Sequence, residues 1–216
     1  MARPAGGAAA GLTVAARAPV DVRWVDGADA AAAAASTPTP AVVGVAGQAD
    51  RAAARLAIRA ALRGALAAAC GVDPARVRLE EAPGRAPRAR VDDGTPGGRA
   101  AWLAISHDGA LSLAAWRFDG PVGIDVMQVQ PVPDWEAVAR DYLGPAAAAS
   151  LASLAADARP AAFAHAWSLH EARLKCLGRQ LEEWQAAVAP ALERCACLPL
   201  ALPEGYVGYV GYLALG

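Results

Sequence analysis

Asp125, Glu171 and Lys175 are the side chains of this sequence best placed to do chemistry together. Asp125 lies in the apolar run Val122-Gly123-Ile124-Asp125-Val126. Glu171 and Lys175 are four residues apart in Trp167-Ser168-Leu169-His170-Glu171-Ala172-Arg173-Leu174-Lys175, so with Trp167 they line one face of a helix. About 45 residues separate the two segments. A Glu four residues before a Lys is, alone, an ordinary surface pair worth ~0.2–0.5 kcal/mol. Asp125 changes that reading, because a lone carboxylate closing an apolar strand is costly to bury without a partner. Two carboxylates brought face to face repel unless a cation sits between them. Mg²⁺ suits the site, since it is hard, prefers oxygen and completes its shell with water and substrate phosphates.

Upstream, Ile105-Ser106-His107-Asp108-Gly109 offers a hydroxyl, an imidazole and turn amides that can grip a phosphate. Asp108 could add a third oxygen ligand, directly or through water. Nitrogen-ligated metal chemistry fails on spacing: His165 and His170 are five apart, about 140° around a helix. No Walker-type phosphate loop and no Gly-x-Ser-x-Gly elbow occurs. The cysteines, Cys70, Cys176, Cys195 and Cys197, fit no zinc template and read as buried free thiols in a reducing cytoplasm.

These groups need elements to hold them. Val20 to Val25 alternates as a strand would, and Val42 to Val45 suggests another. A helix is expected over Asp50 to Ala69, with Asp50 as N-cap, Gly71 after its end, and Leu56, Ile58, Leu62 and Leu66 as its apolar positions. Arg51, Arg55, Arg59 and Arg63 step by four along it, a stripe that reads either as a solvated face or as an anion or carrier-protein surface. Pro74 to Leu79 suggests a short strand, and Pro83 to Arg90 a basic, turn-rich segment. Trp102 to Ser106 and Leu111 to Phe118 read as strands joined by a turn over His107 to Ala110 that contains Asp-Gly. Pro121 to Val126 reads as the next strand.

Trp135 to Tyr142 and Ala146 to Ala156 look helical. A second strong helix runs to Leu177, with Asp157 and Pro160 near its start and Gly178 as C-cap. Cys195 to Leu202 and Tyr206 to Leu215 close the chain as strands, with Pro199 suggesting an edge.

The chain has 216 residues, enough for one large domain or two small ones. A formal net charge of −1 gives no global basic footprint for nucleic acid, so anion binding must be local. No stretch is apolar enough to span a bilayer, and Pro4, Gly6 and Gly7 break the N-terminal stretch as a signal peptide. A cytoplasmic, soluble protein is expected, with residues 1–18 a disordered lead and Ala30 to Ala35 a low-complexity run.

Four motifs in order resemble the 4'-phosphopantetheinyl transferase superfamily. They are the Gly-Ile/Val-Asp strand (Gly123 to Asp125), the Trp-x-x-Lys/Arg-Glu-Ala/Ser-x-x-Lys helix (Trp167 to Lys175), the Ile-Ser-His strand end (Ile105 to Gly109) and the Gly-Lys/Arg-x-Pro segment (Gly84 to Pro87). The order and spacing cover most of the chain from Arg51 onward and resemble the longer, pseudo-dimeric (Sfp-like) type. The resemblance implies an α+β fold with two similar helix-plus-antiparallel-sheet halves, 19–120 and 121–216, related by a pseudo-two-fold in a monomer. It implies a holo-acyl-carrier-protein synthase type of enzyme, moving the phosphopantetheine arm of coenzyme A onto a serine of an apo carrier protein and releasing 3',5'-ADP. Fatty-acid, polyketide and nonribosomal-peptide carriers share that serine, and the sequence does not choose among them.

In that reading Asp125, Glu171 and Asp108 bind Mg²⁺, Glu171 is general base, Lys175 contacts the phosphates, and Arg55, Arg85, Ser106 and His107 hold the nucleotide end. The chain departs from the family pattern at three places. Met127 stands where many relatives carry a second acid, His170 replaces the basic residue of the helix motif, and alanines follow Pro145 where an acid is common. A degenerate homologue that binds coenzyme A or carrier protein without transfer is the alternative.

Overall fold

A computed structural model describes residues 18–25, 40–48, 50–82 and 84–214. The lead read over 1–18, apart from Ala18, and the alanine run from Ala30 to Ala35 lie outside the described residues. The strands are β1 (Val20–Asp21), β2 (Arg23–Trp24), β3 (Ala41–Ala46), β4 (Val77–Glu80), β5 (Arg88–Val91), β6 (Arg99–Asp108), β7 (Leu111–Arg117), β8 (Val122–Gln128), β9 (Cys195–Ala201) and β10 (Tyr206–Leu213). The helices are α1 (Arg51–Cys70), α2 (Trp135–Val138), α3 (Pro145–Ala152), α4 (Arg159–Cys176) and α5 (Ala189–Glu193). The class is mixed α and β, as expected.

Two sheets form, β2-β3-β7-β6-β5-β4 and β1-β9-β10-β8. The lead strand read at Val20 to Val25 is split between them: β1 pairs with β9 and β2 with β3. One order of elements occurs twice. In β3, α1, β6, β7 and in β8, α4, β9, β10, a strand and a helix precede a pair of strands, and the last strand lies between the other two.

Period-2 alternation sets the layers. Val43, Val45, Leu103, Ala114 and Trp116 face α1, while Val42, Ala104, Leu113 and Ala115 meet Val122, Ile124, Val126, Leu198 and Val210 of the second sheet. Leu169 and Ala172 of α4 pack with Tyr209 on that sheet's outer face.

α1 forms where its caps predict. Asp50 accepts hydrogen bonds from the Ala52 and Ala53 amides at 2.8 Å. Gly71, at φ 66°, sends its own N–H to the Ala68 carbonyl and lets the Val72 N–H reach the Ala67 carbonyl. Its buried face is Ile58, Ala61, Leu62, Ala65 and Leu66, an i, i+3, i+4, i+7, i+8 series. Leu56, read as one of these, is 73% exposed, because two residues back from Ile58 is about 200° around the helix.

Other expectations shift. β5 overlaps the end of the segment read as basic turn and runs one residue past it, with alternate residues Ala89 and Val91 buried and Arg90 exposed between them. β6 continues through His107 and Asp108, leaving only Gly109 and Ala110 as the loop, so those two side chains belong to a strand end and not to the turn. The helix read at Trp135 to Tyr142 changes to π geometry from Ala139 to Leu143, and α5 was not foreseen. Asp157 accepts from the Ala158 amide, yet Ala158 occupies the N-cap position of α4. β9 carries Pro199 with β10 on one side and only the two residues of β1, at Leu200 and Ala201, on the other.

Candidate active site

Gly123 explains why α4 comes so near β8. A Cβ at that position would collide with the Ala172 carbonyl oxygen and the Cys176 amide nitrogen. The clash is with backbone, which cannot swing away. Asp125 is two residues on, on the same face of β8, and so points at the helix turn that carries Glu171 and Lys175. α4 ends cleanly just beyond: Gly178, at φ 66°, allows the Arg179 N–H to bond the Leu174 carbonyl at 2.9 Å, a Schellman closure.

The three residues converge as their spacing suggested. Lys175 Nζ donates to Asp125 Oδ1 at 2.6 Å and stands 4.0 Å from Glu171 Oε2. β8 is the edge of its sheet, so the end of β6 reaches Asp125 as well: Ser106 Oγ donates to Asp125 Oδ1 at 2.8 Å. Lys175 Nζ also lies 3.3 Å from Ser106 Oγ. Asp125 is only 6% exposed, and burial pushes its carboxyl above the usual range, against the pull of Lys175, Ser106 and Ser168. Glu171 is pushed up by burial too, lowered by Lys175 and raised again by Asp125. Two desolvated carboxylates share one ammonium, so the cluster lacks positive charge.

Around it lie three hollows. One of about 480 Å³ is lined by Arg51, Ser106, His107, Asp125, Trp167, Glu171 and Lys175, among others. A second, about 300 Å³, shares Ile105, Glu171 and Lys175 with it and extends to Arg85, Pro87 and Leu181. The third, about 330 Å³, shares Arg51, His107 and Asp108 and lies at the start of α1. Ser106, His107 and Arg85 therefore all border the Glu171–Lys175 cluster. Arg55 lines none of the three, but its charge, with those of Arg51 and Arg59, reaches His107.

His107 is held below its ordinary pKa first by burial and then by those arginines and Lys175. Its Nδ1 sits 2.7 Å from Ser112 Oγ. When Ser112 donates to Nδ1, the ring's remaining proton is on Nε2, a neutral N–H donor. Within the arginine stripe, Arg59 is held by Glu81 through two 2.7 Å bonds, whereas Arg51, Arg55 and Arg63 have no carboxylate within 4.0 Å among the described residues.

Asp108 does not join the carboxylate pair. Its Oδ2 accepts the Gln128 backbone N–H at 2.7 Å, and no group of three His, Cys, Asp or Glu side chains able to hold a metal occurs among the described residues. Met127 borders the same hollow as Asp125, Glu171 and Lys175 and also packs against an apolar cluster with Trp135, Val138, Leu143 and Trp167, so at that position the hollow has a thioether in place of a carboxylate. His170 borders none of the three hollows and is kept neutral by burial and by Arg173, against a weaker upward pull from Glu182.

Sequence reasoning missed Ser168 and Ser112. Ser168 is fully buried on α4, and its hydroxyl lies beside the Asp125 carboxyl, whose charged form it favours. Its signal was available: it stands three residues before Glu171 on the strand-facing side of the helix. Ser112 had none, since only the register of β6 with β7 puts it opposite His107. All four cysteines are free. Cys195, pressed against the Cys176 thiol, is pushed up to about 12, which makes it an inert packing group.

Residues 121–197 match the model of the 4'-phosphopantetheinyl transferase superfamily. A provisionally named 4'-phosphopantetheinyl transferase of Synechocystis sp. is 27% identical over 92 residues, 43% of this chain and 37% of that protein. The 4'-phosphopantetheinyl transferase HetI of Nostoc sp. is 32% identical over 89 residues, 40% of this chain and 38% of its own. The matched stretch thus spans less than two-fifths of either relative. The motifs Gly123 to Asp125 and Trp167 to Lys175 both fall within residues 121–197, the stretch that is similar to the 4'-phosphopantetheinyl transferase superfamily.

Proposed function

We propose that the protein transfers the phosphopantetheine arm of coenzyme A to a serine of an apo carrier protein, with loss of 3',5'-ADP. The observation that carries the reading is the convergence of Asp125, Glu171 and Lys175 at hollows bordered by Ser106, His107 and Arg85. In this reading segments 19–120 and 121–216 are pseudo-two-fold-related halves of one monomeric unit, which the repeated strand, helix and strand-pair order supports. A cytoplasmic location, where coenzyme A is at hand, goes with it.

The donor set fits a hard divalent cation: two desolvated carboxylates whose charge one ammonium does not balance. Asp125 and Glu171 would hold Mg²⁺, which supplies charge neutralisation at the pyrophosphate. The chain's own groups do the rest. His107 and Arg85 hold the nucleotide's anionic end, with Arg51 and Arg55 adding positive field. Glu171, its proton affinity raised by burial, accepts the carrier serine's proton directly or through a water. Lys175 swings from Asp125 to the phosphate oxygens and stabilises charge on the departing 3',5'-ADP. Ser106 keeps Asp125 oriented while Lys175 is engaged elsewhere.

Met127 supports a second reading, coenzyme A binding without transfer, because it leaves the cluster one acid short. Intact-mass analysis of fatty-acid, polyketide and peptidyl apo carriers incubated with coenzyme A, with and without Mg²⁺, separates the two. A Mg²⁺-dependent gain of one phosphopantetheine arm establishes transfer. No gain on any carrier, with coenzyme A still bound, establishes the second reading.

A further inference from the structure

The β6–β7 hairpin, which carries His107, belongs to the first sheet, whereas Asp125 belongs to the second. Two hydrogen bonds fasten the hairpin tip to the second sheet. Asp108 Oδ2 accepts the Gln128 backbone N–H at 2.7 Å, at the end of the strand that holds Asp125. Tyr206, at the start of β10, accepts the Ala110 N–H on its hydroxyl at 3.1 Å. Gly109, at φ 52°, fits beneath them: a Cβ there would stand 2.5 Å from Tyr206 Oη and 3.1 Å from Gln128 Oε1. Gln128 and Tyr206 are themselves paired across the β8–β10 ladder, so the tip is seated on a hydrogen-bonded platform.

From this we infer that Asp108 is a positioning residue, acting as a hydrogen-bond acceptor that sets the distance between His107 and the Asp125–Glu171–Lys175 cluster. The inference rests on the coenzyme A reading above. Asp108 immediately follows His107 on β6, so whatever fixes its carboxylate fixes the imidazole's height over the cavity. Loss of the acceptor leaves the two-residue tip held by its ladder, by Tyr206 and by the Gly47 N–H on the Ala110 carbonyl, and so freer to move. The His107 N–H then spends part of its time out of reach of an anion, and binding weakens without any change in the cluster itself.

The acceptor role separates Asp108 from a metal ligand. An asparagine keeps an oxygen for the Gln128 N–H but loses the charge a cation needs. The test is calorimetric titration of coenzyme A into wild type, Asp108→Asn, Asp108→Ala and Tyr206→Phe, with Mn²⁺ titrated separately and hydrogen exchange followed over residues 107–112. Asp108→Ala is expected to weaken coenzyme A roughly fivefold and to speed exchange at the tip, with Tm within a few degrees of wild type. Asp108→Asn should restore both to near the wild-type values and leave Mn²⁺ binding unchanged, and Tyr206→Phe should shift exchange in the same direction by less. Equal losses in Asp108→Asn and Asp108→Ala, or weaker Mn²⁺ in both, would overturn the inference in favour of a charge role. Unchanged coenzyme A binding and exchange in Asp108→Ala would overturn it too. If wild type binds no coenzyme A, the functional reading fails and the inference falls with it, a result distinct from every variant outcome.

Discussion

The two strand-and-helix units of this molecule use one order of elements for opposite ends. In the first, Val43 and Val45 of β3 meet Ile58, Leu62 and Leu66 of α1, and the helix–sheet contact is an apolar core. In the second, the helix-facing residues of β8 are Gly123 and Asp125, and those of α4 include Ser168, Glu171 and Lys175. Where the first unit fills the gap with side chains, the second brings backbone against backbone at Gly123 and leaves the room farther along for charged groups. The lesson is that one helix–sheet contact can divide its labour: Leu169 and Ala172 of α4 keep an apolar contact with Tyr209, and the β8 side of the same helix holds groups that oppose folding.

The strongest way to break the comparison is at the cluster's chemistry. Asp125→Ala and Glu171→Ala are each expected to cut transfer to a carrier protein by about 10³-fold or more, read by intact mass over time, while far-ultraviolet circular dichroism stays unchanged. Retention of activity in either would remove that residue from the proposed site.

Next comes the backbone contact. Gly123→Ala should cost at least ~3 kcal/mol by urea denaturation, because the added methyl meets α4 backbone. Gly44→Ala in β3 meets only the ends of Trp24 and Leu113 side chains and should cost less. Equal costs would mean that α4 can back away from β8. In the first unit, Leu62→Ala should cost ~2–5 kcal/mol through the cavity it leaves.

A smaller effect follows from the carboxyl shifts. Asp125 has its folded pKa raised, so its charged form opposes folding, and the penalty develops as pH rises from the unfolded value near 3.9 through the folded one. Asp125→Asn should match wild type in stability near pH 3 and gain on it as pH rises through that window. A loss instead would mean that the Lys175 pair outweighs burial. His107 and His170 are lowered, so acidification below about 6.5 should destabilise the protein, and His170→Gln should blunt that slope. Smallest of all, Leu56→Ser on the exposed side of α1 should change stability by under ~0.5 kcal/mol.

Much of this was legible because it is local. The caps at Asp50 and Gly71, the α1 periodicity and the four-residue step from Glu171 to Lys175 depend only on neighbours along the chain, and local sterics and hydrogen bonds decide them. Leu56 was misread because hydrophobicity alone does not say which side of a helix is covered. β5 was hidden because its arginines at alternate positions look like a polar turn until a partner strand is present.

The sequence by itself determined which residue types stand where: an Asp ending an apolar strand, a Glu and a Lys one turn apart, a Gly two residues before the Asp. Only the tertiary structure decided what they meet. Register placed Ser112 opposite His107, the edge position of β8 let Ser106 reach Asp125, and the seating of the hairpin tip gave Asp108 to the Gln128 amide and not to the carboxylate pair. Spacing along one element carries over into a fold because an element is rigid, whereas contacts between elements depend on packing that no single stretch encodes.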